Sequence, residues 1–175
     1  SPHQGVMAEV EPLTWLHLED YVEKNTDKMS LVLLDQLTDS QNIGSILRTA
    51  SAFNIDGVVL TKKNTPVENG LMARAAAGSI ETMPLIRVTN LSRSIEYLKK
   101  NNFFVIGLEK HGKENISDCV GNPQTALVLG SENLGLRRLT KEKLSTSAKI
   151  PIAVQTESLN VSNAAAIALY VIQNN

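Results

Sequence analysis

The chain has 175 residues and a mass of 19.1 kDa, which suits one compact domain. An apolar fraction of 42% with 20% charged residues excludes intrinsic disorder, and a single cysteine excludes an internal disulfide or a cysteine-rich zinc site. A net charge of -1 excludes a protein coated in positive charge, although a local basic patch could still contact nucleic acid. Apolar stretches fall short of the ~20 residues that cross a bilayer, and no signal peptide is recognisable, so we expect a cytoplasmic protein.

Short apolar runs alternate with helical patterns along the chain. Strands are predicted over residues 30–35, 56–61, 85–88, 103–108, 125–130 and 148–152. Helices are predicted over residues 42–53, 67–76, 91–101, 139–145 and 160–173, with Asn42 as the N-cap of the first. Residues 110–123 are expected to form a loop with at most one helical turn, and residues 1–12 an extended arm before one domain over 13–175. This alternation indicates an α/β protein with a mostly parallel sheet flanked by helices.

Three predicted loops are dense in polar residues and glycine: residues 35–44, 130–136 and 150–163. Ligands of open α/β sheets bind beyond the carboxyl ends of the strands, where these loops lie. The second loop is neither a P-loop nor a G-x-G-x-x-G turn. Its glycines, Gly130 and Gly135, permit sharp turns whose exposed backbone could grip an adenine or a ribose. An ordinary glycine-rich turn between strand and helix fits the same pattern.

Two of these loops carry side chains that permit alternative interpretations. Asn42 and Arg48 are six residues apart, or 1.7 helical turns, so they lie on different sides of an ideal helix. An arginine there is either a solvated charge or a contact to phosphate or ribose. The third loop crowds four small polar residues around a helix start, more than one cap needs. These are Ser158, Asn160, Ser162 and Asn163.

Basic residues form four short clusters. These are Lys62-Lys63, Lys99-Lys100, residues 110–113, and Arg137-Arg138 with Lys141 and Lys143. Each alone fits a solvated face, whereas together they could line one RNA-facing surface. Aromatic residues make up only 4% of the chain, which disfavours a stacking platform for single-stranded bases. The three histidines lie far apart and show no metal-ligand spacing.

In this order, the three loops make the sequence resemble the SpoU (TrmH-type) family of RNA ribose 2′-O-methyltransferases, of the SPOUT class. Residues 42–49, NIGSILRT, match the family's Asn-x-Gly-x-x-x-Arg-Thr motif. Residues 127–136, LVLGSENLGL, match an apolar strand followed by Gly-Ser-Glu-Gly-x-Gly-Leu. Residues 150–152 and 158–164, IPI and SLNVSNA, match the third motif. Residues 3–6, HQGV, resemble the segment that joins an RNA-recognition domain to the catalytic domain in the branch acting on a 23S rRNA guanosine.

The resemblance implies a fold, a cofactor and partners. The fold is the α/β sheet of SPOUT methyltransferases with a deep C-terminal trefoil knot, and residues 13–175 would be its catalytic domain. The cofactor is S-adenosylmethionine, no metal is needed, and the protein is a homodimer with no membrane association. The substrate is RNA, with ribosomal RNA favoured over transfer RNA. Three departures from the family pattern, Asn133, Asn163 and Ala166, predict altered cofactor contacts.

The resemblance also implies roles for individual residues. The catalytic set is Arg48, Asn42, Glu132, Ser158 and Asn160. The cofactor set is Leu129, Gly130, Ser131, Gly135, Ile150, Ile152, Ser158, Leu159 and Asn160. Arg48 would act as the proton acceptor, or as a cation that orients the 2′-hydroxyl and stabilises its developing charge; a guanidinium is a poor base. Three alternatives stay open: a tRNA ribose methyltransferase, a non-catalytic RNA-binding or assembly module, and a nucleotide-dependent oxidoreductase.

Overall fold

The structure is a computed structural model that describes residues 12–25, 28–66, 68–132 and 134–174. The predictions for residues 1–11, for Val67 and for Asn133 therefore lie outside the described residues. No helix in these ranges combines the length and the apolar character that crossing a bilayer requires.

A seven-stranded sheet forms the centre of the described chain, and all of its strand pairs are parallel. The strands are β1 (Met29–Asp35), β2 (Gly57–Thr61), β3 (Leu85–Val88), β4 (Phe104–Leu108), β5 (Glu114–Asn115), β6 (Gln124–Gly130) and β7 (Thr146–Lys149). Their spatial order is β3-β2-β1-β6-β4-β7-β5. The predicted α/β class with a parallel sheet is confirmed. No described contact tests the trefoil knot, which stays a prediction.

Helices cover both faces of the sheet. They are α1 (Leu18–Lys24), α2 (Ser40–Ala52), α3 (Gly70–Ala76), α4 (Ser79–Thr82), α5 (Leu91–Lys100), α6 (Arg138–Lys143) and α7 (Val161–Gln173). One buried apolar cluster includes residues of α2 and α7, and a second includes residues of α1 and α5. All seven residues of β1 are buried, which explains why this central strand is a continuous apolar run rather than an alternating one.

The N-cap predicted for the helix of the first motif is wrong. Helix α2 begins at Ser40, and Asp39 is its cap, because the Asp39 carboxylate accepts hydrogen bonds from the backbone N–H groups of Gln41 and Asn42. A carboxylate one residue before the helix pairs with these otherwise unpaired donors, and its negative charge interacts favourably with the positive end of the helix dipole. Asn42 therefore lies inside the first turn with its side chain available for other partners.

Other predicted bounds also change. The helix predicted from residue 67 begins at Gly70, because Asn69 caps it through bonds from the N–H groups of Leu71 and Met72. The strand predicted over 148–152 is wrong at both ends: β7 covers residues 146–149, where it pairs with β4, and it stops before Pro151. Residues 110–123 contain the two-residue strand β5 and a 3-10 turn over residues 116–119. Helices α1 and α4 were not predicted.

Gly44, the glycine of the first motif, lies where α2 packs directly on α3. A β-carbon added at Gly44 would lie 2.7 Å from Ala75 Cβ and closer still to the carbonyl oxygen of Met72. The helix backbones approach too closely for any side chain at this position. The motif glycine therefore sets the position of α3 against α2.

We predict that Gly44→Ala destabilises the protein by about 1–3 kcal/mol, the usual cost of overpacking a closed contact. Helix propensity alone would predict a gain of about 1 kcal/mol from the same change. Gly70→Ala is the matched control, because a β-carbon at Gly70 meets no atom within 4 Å. Thermal unfolding measures both variants. A Gly44→Ala protein as stable as the control would contradict the packing role.

The segment before α1 is hydrogen-bonded to the edge strand β3. The Leu16 N–H donates to the Leu85 carbonyl at 2.9 Å, and the Leu16 carbonyl accepts from the Arg87 N–H at 3.2 Å. The Arg87 guanidinium stacks 3.6 Å above the centre of the Trp15 ring, and the Trp15 indole N–H donates to Glu68 at 2.7 Å. Arg87 also pairs with Glu68 at 3.5 Å. This cluster ties Trp15 and Leu16 both to β3 and to the loop between β2 and α3.

Candidate functional site

The register of the sheet brings the first and second motif loops side by side. Asp35 and Gly130 are direct partners at the carboxyl ends of β1 and β6. The first motif loop leaves β1 at this level, and the second leaves β6. The third loop connects β7 to α7, which packs against α2. All three polar loops therefore meet at one edge of the sheet, as parallel strands require.

Three predicted site residues, one from each motif, are hydrogen-bonded to one another. The Asn42 amide Nδ2 donates to Glu132 Oε1 at 3.0 Å, and the Asn160 Nδ2 donates to the same oxygen at 2.7 Å. The Asn160 Nδ2 also donates to Asn42 Oδ1 at 3.1 Å. We name Asn42, Glu132 and Asn160 the amide–carboxylate triad. It is the point where chain segments 118 residues apart are joined by side chains.

The partners of each amide fix its orientation. Asn160 Oδ1 accepts from the backbone N–H groups of Ser162 and Asn163, so this residue is the N-cap of α7 and its NH2 group must face the triad. Asn42 then accepts from Asn160 and donates to Glu132. Only an acceptor can receive both NH2 groups, and a carboxylate makes the stronger, charge-assisted bonds. Glu132 Oε2 has no hydrogen-bond partner among the described residues, so it is available to a ligand.

The second loop is a tight turn that closes on its own start. The Gly135 N–H donates to the Ser131 carbonyl at 2.8 Å, and the Leu134 N–H donates to Ser131 Oγ at 3.3 Å. Gly135 has φ +64°, a left-handed conformation that suits glycine. A β-carbon at Gly130 would overlap the backbone of Gly135. Both predicted glycines are therefore required by the turn itself, and Glu132 is carried at its tip.

An ion pair between a buried carboxylate and a partly exposed arginine anchors the end of this loop, and the sequence analysis did not include it. Asp35 is fully buried, with Oδ2 accepting from the Arg137 backbone N–H at 3.0 Å and Oδ1 from the Arg137 Nε at 2.6 Å. The two residues are 102 positions apart. Asp35 ends β1 and Arg137 follows the turn, so the pair holds the second loop over the end of β1. A charged residue closing an otherwise apolar strand was the available signal.

The predicted cofactor residues lie at the end of β6 and in the loops that follow β6 and β7. Strands β6 and β7 are separated only by β4, so their ends are about 10 Å apart at the usual strand spacing. Leu108 at the end of β4 and Ile150, Ile152 and Leu159 of the third loop are half-buried. Apolar side chains between two loops with exposed backbone fit a flat, neutral adenine, which needs apolar contact and main-chain hydrogen bonds.

Two predicted catalytic residues do not contact the triad. Arg48 is exposed on α2, whereas Asn42 is buried, as their spacing predicted. Arg48 has no ion pair or side-chain hydrogen bond to any described residue. Ser158 is exposed in the third loop and likewise has no side-chain bond within the described ranges. Both stay predictions: Ser158 lies in the third loop, Arg48 lies past the middle of α2, and both side chains are free to bind a ligand.

Two of the three departures from the motif pattern, Asn163 and Ala166, lie on α7. Asn163 is exposed in the first turn of α7, and Ala166 is half-buried further along the helix.

Most of the basic cluster around Arg137 is paired within the protein: Arg138 with Glu142, Lys141 with Glu109, and Lys143 with Glu96. Among the described residues, no three His, Cys, Asp or Glu side chains are grouped to hold a metal ion.

Comparison with known proteins gives this geometry its family. Residues 29–170 match the model of the SpoU rRNA methylase family. A protein of Staphylococcus haemolyticus, assigned to the TrmH family of tRNA/rRNA methyltransferases, is 38% identical over 173 residues, which are 97% of this chain and 70% of that protein. The chain therefore belongs to the SpoU family of RNA methyltransferases. This confirms the resemblance and sets aside the oxidoreductase alternative.

Solved structures of the family share the fold and its cofactor. The SpoU methyltransferase AviRb of Streptomyces viridochromogenes, in complex with S-adenosylmethionine, superposes with a TM-score of 0.78 at 27% identity. The match covers 83% of this chain and 57% of AviRb, so this chain spans little more than half of that protein. An S-adenosylmethionine-bound rRNA methyltransferase of Sinorhizobium meliloti gives 0.80 at 26% identity, over 91% of this chain and 60% of that one. An enzyme family that uses S-adenosylmethionine is thereby confirmed.

We predict that Arg137→Gln destabilises the protein by roughly 1–3 kcal/mol, because the buried Asp35 carboxylate then loses its charged partner. The matched control is Arg138→Gln, which removes an exposed pair with Glu142 and is expected to cost under about 1 kcal/mol. Urea unfolding of both variants tests the difference. Equal midpoints would show that the Asp35–Arg137 pair does not anchor the loop.

Proposed function

We propose that this chain transfers a methyl group from S-adenosylmethionine to a ribose 2′-hydroxyl of RNA. The observation that carries the proposal is the amide–carboxylate triad, in which one residue of each family motif meets at the carboxyl edge of the sheet. The family is one of RNA methyltransferases, and two of its solved structures contain this methyl donor. The chemistry requires an in-line arrangement of oxygen, methyl carbon and sulfur, so the chief task of the protein is positioning.

The methyl donor is held on the β6–β7 side of the triad in this proposal. The backbone of Leu129 and Gly130, with Ile150, Ile152 and Leu159, holds the adenosyl part, and the turn of Ser131 and Gly135 shapes the boundary toward Glu132. When bound, the donor supplies a methyl group already activated by the positive charge on sulfur.

The acceptor ribose lies over the triad. Glu132 Oε2, unpaired among the described residues, accepts a hydrogen bond from the sugar, while Asn42 and Asn160 fix the carboxylate that receives it. Ser158 bounds the pocket from the third loop. As the oxygen–carbon bond forms and the carbon–sulfur bond breaks, the 2′-hydroxyl gives up its proton to solvent.

Arg48 stabilises the charge that develops on the ribose oxygen. Its guanidinium is exposed and has no ion pair within the described ranges, so its five donors are available to a phosphate or to the 2′-oxygen. A carboxylate partner would have cancelled this charge. We therefore favour the cationic role over that of proton acceptor.

We predict that Arg48→Ala lowers methyl transfer at least 100-fold while S-adenosylmethionine binding survives, the size expected for loss of one transition-state donor. The matched control is Arg74→Ala, which removes another exposed arginine from the neighbouring helix α3. Tritium transfer to RNA and calorimetry with S-adenosylmethionine measure the two effects. Turnover by Arg48→Ala equal to that of the control would remove Arg48 from the mechanism.

Within RNA, we propose ribosomal RNA as the substrate, and a guanosine of 23S rRNA in particular. The resemblance of residues 3–6 to the interdomain segment of that branch supports this choice, as does the family's description as rRNA methylases. Residues 13–175 then form the catalytic domain and act in the cytoplasm. Mapping of 2′-O-methylation on ribosomal and transfer RNA from cells lacking the full-length protein tests the assignment. A site lost only from transfer RNA would overturn it.

We also propose that the chain acts as a homodimer through α7. Asn163, Ile167, Tyr170 and Asn174 are exposed at helical spacings of three and four, and Ile167 and Tyr170 are 41% and 57% exposed despite their size. This stripe begins three residues after Asn160, so a partner packed on it would lie beside the triad.

We predict that Ile167→Glu converts the dimer to monomers, because a charge would be buried at the contact. Leu139→Glu is the matched control, since Leu139 is 53% exposed on α6, outside this stripe. Sedimentation analysis of both variants distinguishes them. A dimer that survives Ile167→Glu would exclude this face of α7.

A further inference from the structure

The triad divides the carboxyl edge of the sheet into two unequal sides. In the strand order, β6, β4 and β7 lie on one side of the β1–β6 junction, and β2 and β3 continue beyond β1 on the other. The residues proposed to hold the methyl donor all belong to the end of β6 and to the loops that follow β6 and β7. The β1–β2 side is therefore left for the acceptor strand, and the loop that follows β2 is the next surface it meets.

That loop is joined directly to the first motif. Asn69, at its end, donates from Nδ2 to Ser40 Oγ at 2.8 Å, and Ser40 is the first residue of α2. Register places Leu60 opposite Leu34, so Lys62 follows β2 at the level where the first motif loop leaves β1. A nucleic-acid strand seated at the triad and continuing along this edge passes over the β2–α3 loop.

Lys62 and Lys63 give this loop an uncompensated positive charge. Both side chains are exposed, and neither has an ion pair among the described residues. Their backbone is held in place: the Lys62 N–H donates to the Val88 carbonyl at 2.8 Å, and Thr61 Oγ1 donates to the Lys63 carbonyl at 2.7 Å. The carboxylate described in this loop, Glu68, is already engaged by Arg87 and Trp15.

We propose that Lys62 and Lys63 bind phosphates of the RNA strand that carries the acceptor ribose. The RNA then crosses the β1–β2 side of the edge, and the methyl donor occupies the β6–β7 side. This inference rests on the proposed function and adds to it the direction in which the substrate lies. It also explains how a chain with a net charge of -1 binds a polyanion, because the charge that matters is local.

The test compares two lysine pairs at the same edge of the sheet. Lys62→Gln/Lys63→Gln removes the proposed contacts. Lys110→Gln/Lys113→Gln is the matched control, because these lysines are also exposed and lack ion pairs in the described part of the chain, but they follow β4 on the opposite side. The probe is protein-free 23S rRNA from cells lacking the full-length protein, with affinity measured between 50 and 200 mM salt.

The plot of log affinity against log salt has a negative slope, and each lost phosphate contact reduces the magnitude of that slope by about 0.7 for single strands. The Lys62/Lys63 variant is expected to lose about 1.4 from this slope, with a raised KM for RNA and unchanged affinity for S-adenosylmethionine, while the control keeps the wild-type slope. An unchanged slope in the first variant, or an equal loss in the control, overturns the proposal. If wild-type protein transfers no methyl to RNA, the proposed function fails, and the slopes still decide where RNA lies.

Discussion

The shared carboxylate of Glu132 is the interaction on which the site depends. It accepts hydrogen bonds from the amides of residues that lie 90 positions before it and 28 positions after it, and so joins the first turn of α2 to the start of α7. An uncharged amide at position 132 could not accept from both NH2 groups without losing the negative charge that strengthens both hydrogen bonds. The pair of the buried Asp35 with Arg137 holds the C-terminal end of the same loop, so Glu132 is presented by a turn that is fixed at both ends.

The sequence predicted the sheet well where burial alone decides structure. The strand predicted over residues 85–88 matches β3 at both ends, and the predicted bounds of β1 and β6 each differ from the observed ones by one residue. Strands that are buried on both faces appear in a sequence as continuous apolar runs. Strand β7 was misplaced, since its residues are only partly apolar and its pairing with β4 sets its limits. The short helices α1 and α4 were not predicted, because the stability of helices of this length depends on tertiary contacts.

The sequence predicted which residues belong to the site, but not how their side chains are arranged. Resemblance singled out Asn42, Glu132 and Asn160, whereas only the fold shows that they bond to one another. Gly44 belongs to the same motif, yet the contact of α2 with α3 accounts for it. A family motif therefore mixes residues that face a ligand with residues that position the helix carrying them, and spacing in the sequence does not distinguish the two.

The contacts of Trp15 and Leu16 with β3 also bear on unwanted pairing between chains. An open sheet presents unpaired N–H and C=O groups at its outer strands, and these can recruit another chain into an aggregate. Here Leu16 engages one outer strand and the Trp15–Arg87 stack shields it, while the opposite outer strand, β5, is only two residues long. A parallel sheet of seven strands thus offers little edge for stray pairing, even while its carboxyl rim remains open.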